Sequence, residues 1–122
     1  MQLNPDCIRE VLLAIRDIPK GESLTCGEIH KILDEFSPDD IDYTCLKLQE
    51  AELIDAKIKI LPNHNFVLIR LYDLTMPGQE LAECVAPKKV WDKIKEKFNS
   101  IYPKTLLSLI QTILQFKLNN FM

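Results

Sequence analysis

The apolar positions of this 122-residue chain fall first into helical stripes and then into a short alternating stretch. Ile8, Val11, Leu12 and Ile15 recur at i, i+3, i+4 and i+7, which is one buried helix face. Asn4-Pro5-Asp6 starts that helix with an N-cap, a proline at the first helical position and an acid in the first turn, and Pro19-Lys20-Gly21 ends it. Thr25-Cys26-Gly27-Glu28 reads as a capping box, with Leu24 and Ile29 as its hydrophobic staple. Ile29, Ile32, Leu33 and Phe36 form the apolar side of a short second helix. Ser37-Pro38-Asp39-Asp40 starts a third at once, with Ile41, Cys45 and Leu48 as its buried face and Leu53 closing it.

The period then changes. Lys57-Ile58-Lys59-Ile60 alternates residue by residue, as a half-buried strand does, and Pro62-Asn63-His64-Asn65 is turn chemistry. Phe66 to Tyr72 is a second strand rich in aromatic and β-branched residues. Beyond it, Thr75 caps a fourth helix reaching Ala86, and Pro87 opens a basic helix over Lys88 to Phe98 with Val90, Trp91, Ile94 and Phe98 on its apolar side. Tyr102-Pro103 breaks that helix, and a last one runs from Lys104 to Asn119. Two helices joined by almost no loop, after a leading helix, form a helix-turn-helix pattern. The expected class is therefore α+β and mainly helical. A winged helix-turn-helix-like core of three helices and a two-stranded hairpin occupies residues 1–75, and a C-terminal helical extension over 76–122 packs on it within a single domain of 1–122.

Composition adds an asymmetry. Hydrophobic residues make up 47% and charged residues 27%, which excludes disordered and low-complexity classes. Residues 1–86 hold 8 Lys/Arg and 16 Asp/Glu, a balance of −8, whereas residues 87–122 hold 7 Lys and 2 acids, a balance of +5; together they return the net −3. Such a split marks either an electrostatic face for nucleic acid or an acidic partner, or an acidic body and a basic helix that complement each other. The four cysteines, Cys7, Cys26, Cys45 and Cys84, show no C-x-x-C spacing and sit in or beside apolar helical patterns. They read as free thiols in a reducing compartment. Asp6, Arg9 and Glu10 stand where a signal peptide needs an apolar run, and no apolar stretch reaches the length of a membrane span, so a cytoplasmic protein is expected.

Catalytic signatures are sparse. The chain has two histidines and three glycines, no G-x-S-x-G and no phosphate-cradling loop. Cys26 and His30, four residues apart on one helix face, form the one pair with catalytic or metal-ligand spacing; a zinc site needs further ligands, which the local sequence does not supply. The plain alternative is a partly buried cysteine beside a solvent-facing histidine. No enzyme activity, cofactor, metal or small-molecule substrate is expected.

Three surfaces remain. The third helix carries Asp39, Asp40, Asp42 and Glu50 against Lys47, so Tyr43, Lys47 and Gln49 are its candidate outward face in a helix poorly suited to phosphate. Asp39 and Asp40 also stabilise the helix N-terminus. The hairpin offers Lys57, Lys59, His64 and Arg70, and the basic helix Lys88, Lys89, Lys93 and Lys97, as candidate contacts to double-stranded DNA; the strand lysines equally suit the solvent side of an edge strand. In the last helix Leu107, Ile110, Leu114, Leu118 and Phe121 form one apolar stripe, and Leu106, Leu109, Ile113 and Phe116 another. A helix apolar on two sides needs two surfaces to bury against, one of them a second copy in a homodimer, another protein, or the rest of its own chain.

Four blocks in order carry a resemblance: Asp6-Cys7-Ile8-Arg9-Glu10-Val11-Leu12-Leu13, Tyr43 through Ile54, Leu74-Thr75-Met76-Pro77-Gly78-Gln79-Glu80-Leu81, and Val90-Trp91-Asp92-Lys93-Ile94-Lys95-Glu96-Lys97. Together they resemble a family of small bacterial winged-helix-like proteins of unknown function, found in prophages and mobile elements. The resemblance implies a non-enzymatic accessory or regulatory protein, with DNA binding presumed from the fold. Two departures stand out. Glu52 occupies a position where such proteins tend to have glycine, which predicts a strained or altered corner before the hairpin, and Thr44 stands where the family often has histidine.

Overall fold

The computed structural model describes residues 2–121, with side chains through residue 119. The chain runs α1 (Pro5–Arg16), β1 (Leu24–Thr25), α2 (Cys26–Ile32), α3 (Pro38–Glu50), β2 (Ile54–Ile60), β3 (Phe66–Leu74), α4 (Met76–Val85), α5 (Lys88–Asn99) and α6 (Leu106–Phe121), with a short 3-10 turn at Pro62–His64 between β2 and β3. The fold is mixed and mainly helical. The strands form one antiparallel sheet in the order β1-β3-β2.

Every N-cap expected from sequence is made by the residue expected. The backbone N–H groups of Asp6, Glu28, Asp40 and Gly78 donate to the side chains of Asn4, Thr25, Ser37 and Thr75. Glu28 returns the bond from the Thr25 N–H at 2.9 Å and completes the capping box. Such caps are each worth about 1 kcal/mol. α1 stands at the centre, its Cys7, Ile8, Val11, Leu12 and Ile15 face packed against α3, α4 and β3. Ile41, Cys45 and Leu48 of α3 and Leu68 and Leu71 of β3 complete this core, and Trp91, Ile94, Phe98, Leu109 and Ile113 continue it into the C-terminal helices.

Some expectations are corrected. The sheet has three strands rather than two: Leu24 and Thr25 pair with Leu71 and Arg70, so β1 covers the outer edge of β3. β2 begins at Ile54 and β3 extends to Leu74, because two register shifts break the alternation that marks a strand in sequence. α2 stops at Ile32, which is exposed, and Leu33 takes the buried position after it.

The α3–β2 corner is the tightest junction. Leu53 N–H donates to Leu48 O and Glu52 N–H to Gln49 O, a Schellman motif that places Glu52 in the left-handed region at φ 59°. This is the strained corner that the Glu52 departure predicts. Leu53 O then accepts the Thr75 N–H at 3.0 Å, and the Thr75 hydroxyl donates to Glu52 O at 2.8 Å. Gly78, in the first turn of α4, lies so close that a Cβ there would stand 1.9 Å from Leu53 O.

α1 also bolts the C-terminal helices in place. Arg9 donates from Nε to Val85 O and from Nη2 to Ala86 O, each at 2.8 Å, satisfying carbonyls at the C-terminus of α4. Asp6 accepts from the Trp91 indole and from Lys95, both at 3.0 Å, joining α1 to α5. Burial pulls the Asp6 carboxyl up, but the Trp91 and Lys95 hydrogen bonds and the Lys95 and Lys88 charges outweigh it, so its pKa falls below 3.8.

Two predictions follow from these junctions. In urea unfolding, Gly78→Ala lowers stability by about 2–3 kcal/mol because the new methyl has no room against backbone, whereas Glu52→Gly raises it by about 0.5–1 kcal/mol by relieving the left-handed residue. For Asp6, the depressed pKa means that its contribution is fully present above pH 3.8 and lost as pH falls through the lower folded value. Asp6→Asn therefore lowers the thermal midpoint at pH 7 and flattens the acid limb of the stability profile below pH 3.8, measured by thermal melts across the pH series.

Candidate functional site

The hairpin positions its basic residues by pairing. Lys57 lies directly opposite Arg70, and Thr25 of β1 faces Arg70 from the other side, so one row of the sheet reads Lys57–Arg70–Thr25. Arg70 donates from Nη1 to the Ser23 hydroxyl at 2.7 Å, which fixes its guanidinium. Lys59 pairs with Val67 and is exposed, as Lys57 is. Among the described residues none of Lys57, Lys59 and Arg70 is in an ion pair. Beyond the Ala56–Leu71 pair the charge reverses, with Asp55 facing Asp73, both exposed. His64 is exposed at the hairpin tip, where it and Asn63 both take positive φ, and the Leu61 N–H to Asn65 O bond at 2.7 Å closes the loop.

The basic helix is a separate surface. Lys88, Lys89, Lys93 and Lys97 are all exposed on α5, but Lys88 is paired with Asp92 at 3.1 Å. Lys89, Lys93 and Lys97 repeat every fourth residue along one side. α5 packs on α4 and α6 and the hairpin packs mainly on α1 and α3, so these two sets of lysines belong to different packing units.

The third-helix face is half-buried and carries contacts of its own. Lys47 is engaged with Glu50 at 2.8 Å and lies 5.5 Å from the centroid of the Tyr43 ring. Tyr43 and Lys47 line an open groove of about 770 Å³ that they share with Phe98, Tyr102, Pro103 and Leu106 of the C-terminal extension. Gln49 is half-buried, and its Oε1 is buried without a hydrogen-bond partner among the described residues.

In α6, Leu107, Leu114 and Leu118 are 64%, 50% and 63% exposed, while Ile110 is half-buried against the core. The side chain of Phe121 lies outside the described residues. Leu109 and Ile113 of the other stripe are buried.

The Cys26–His30 pair acquires a third member that the sequence did not reveal. Asp42, on α3, accepts from His30 Nε2 at 2.7 Å, and the two side chains are 24% and 23% exposed. His30 is therefore engaged rather than solvent-facing. Cys26 Sγ lies 3.5 Å from the same Nε2, 3.8 Å from Nδ1 and 3.9 Å from Asp42 Oδ1. A nucleophilic relay needs the thiol on one ring nitrogen and the acid on the other. Here both approach Nε2, and burial first, then the Asp42 charge and hydrogen bond, push the Cys26 thiol pKa up. This arrangement does not activate a thiolate. Cys7 and Cys45 are buried core thiols, Cys7 pushed by burial to about 11.

A family model described as a hypothetical protein, DUF2513, matches residues 2–102. The chain belongs to the DUF2513 family. No curated protein and no solved structure matches it. The DUF2513 match contains the hairpin, the Cys26–His30–Asp42 cluster and α5, and ends before α6, so the exposed leucine stripe lies outside the matched segment. No described helix of this DUF2513 protein is long and apolar enough to cross a membrane.

Proposed function

We propose that this DUF2513 chain is a winged-helix protein, of the kind carried by prophages, that binds duplex nucleic acid through the hairpin as its wing. The element order supports the winged-helix reading: a leading helix, a short edge strand, two helices joined by a tight turn, then a hairpin whose second strand lies at the centre of the sheet and pairs with the edge strand. The observation that carries the binding reading is the Lys57–Arg70 pair. Like charges directly opposite each other on adjacent strands are destabilising, and among the described residues neither is in an ion pair, the nearest compensation being the Glu28 charge that acts on Arg70. A phosphate between them turns that repulsion into two favourable contacts. The protein contacts the backbone rather than base edges, because α3 is acidic and its Tyr43 and Lys47 face the C-terminal extension.

Anisotropy of a random labelled duplex across a salt series tests this. Wild-type affinity falls with a log–log slope of about −2 to −4, and Lys57→Ala or Arg70→Ala each reduces the slope by about 1. The triple Lys89, Lys93 and Lys97 change to alanine has a smaller effect than the double hairpin change. A flat trace at low salt overturns the reading.

A second reading rests on α6. Leu107, Leu114 and Leu118 lie on one exposed side at spacings of seven and four, the pattern of a helix seam with a partner. Self-association through this stripe predicts a dimer in sedimentation equilibrium that Leu114→Glu converts to monomer with an unchanged circular dichroism spectrum. A monomeric wild type across the concentration range removes this reading.

A further inference from the structure

We propose that Cys26, His30 and Asp42 form a binding site for one borderline-soft divalent transition metal ion of the zinc class, across the turn between α2 and α3. The donor set is one thiolate sulfur, one imidazole nitrogen and one carboxylate oxygen, the ligand types zinc takes. One donor atom from each residue lies within 4.8 Å of the others. The individual separations approach those of a coordination site. Tetrahedral zinc, with bonds of about 2.0 Å to N and O and about 2.3 Å to S, sets its ligand atoms about 3.3–3.6 Å apart. The S–N separation here is 3.5 Å and the S–O separation 3.9 Å. The N–O separation, 2.7 Å, is a hydrogen bond, and it opens to the tetrahedral edge when a metal ion takes the place of the shared proton.

The local sequence explains two of the three ligands. Residues i and i+4 lie one above the other on a helix, so Cys26 and His30 converge from consecutive turns of α2. Asp42 comes from the second turn of α3, and the tight α2–α3 connection brings that turn beside them. Three protein ligands leave a fourth position, and the partial exposure of His30 and Asp42 leaves it open to water or to an added ligand. On binding, the metal replaces the Cys26 thiol proton, which passes to solvent, and takes the Nε2 lone pair of the neutral imidazole tautomer whose single proton is on Nδ1. The site is independent of the nucleic-acid reading, since none of its ligands is a wing residue.

Titration of chelator-treated full-length protein with Co(II) under reducing conditions tests the site. The expected result is saturation at one equivalent, with a near-ultraviolet sulfur-to-cobalt charge-transfer band and visible bands of tetrahedral intensity. Cys26→Ser removes the charge-transfer band, and His30→Ala and Asp42→Asn each weaken binding at least about tenfold. Zn(II) competes the cobalt signal away and raises the thermal midpoint of wild type by at least about 5 °C, but not that of Cys26→Ser. Circular dichroism of each metal-free variant, expected to match wild type, separates lost ligation from lost folding, and Asp42→Asn keeps the side-chain volume in case the alanine change at His30 unfolds the turn. No cobalt spectrum, or a spectrum that persists in His30→Ala and Asp42→Asn because the metal sits on another thiol such as Cys84, overturns the proposal.

Discussion

The Leu53 carbonyl holds the two halves of this chain together. It accepts the Thr75 N–H, and the Cα of Gly78 rests against it with no space for a side chain. A junction this close has one solution, because bond geometry and van der Waals radii leave no slack. It fixes where α4 starts relative to the α3–β2 corner, and hence where the hairpin leaves and where the C-terminal helices begin. The Schellman motif just before it leaves Glu52 in a conformation that costs a non-glycine residue about 1–2 kcal/mol. The cost is sustained because Leu48, Gln49, Thr75 and Gly78 all hold the corner from outside.

From that corner the charge asymmetry becomes intelligible in part. Asp6 meets Lys95, and Arg16 meets Glu83 at 3.8 Å, so acids and bases on different helices do complement each other. Arg9 spends its charge on helix carbonyls. These contacts absorb a few charges and leave the row Lys89, Lys93 and Lys97 and the pair Lys57 and Arg70 facing solvent. The balance of +5 over residues 87–122 is therefore mostly surface, not internal neutralisation.

What was legible in the sequence was local. A cap needs only its own residue and the next three, so Asn4, Thr25, Ser37 and Thr75 were readable without any tertiary knowledge, and so were the helical stripes they introduce. The misses share the opposite property. β1 is two residues long, too short for any period, and exists because Leu71 and Arg70 lie beside it. The outer parts of β2 and β3 were hidden by register shifts that interrupt alternation. The burial of the Gln49 Oε1 is equally invisible locally, since it depends on what packs beside α3 rather than on the helix itself. The Cys26–His30 spacing was visible as an i, i+4 pair. Asp42 was not, since twelve residues and a turn separate it from His30 and one sequence holds no signal for such a contact.

The position of α3 decides what kind of nucleic-acid binding this architecture permits. Base reading needs donors on an element that enters a groove. Here Lys47 is committed to Glu50 and Tyr43, Gln49 is buried at its oxygen, and Tyr102 to Leu106 share the groove beside Tyr43. The hairpin, by contrast, presents a guanidinium bonded to Ser23 on the central strand and two exposed ammonium groups on the edge strand beside it. Such a surface positions a backbone without distinguishing sequences, because phosphates are the same at every step. Under the proposed reading, sequence preference comes from duplex shape rather than from α3.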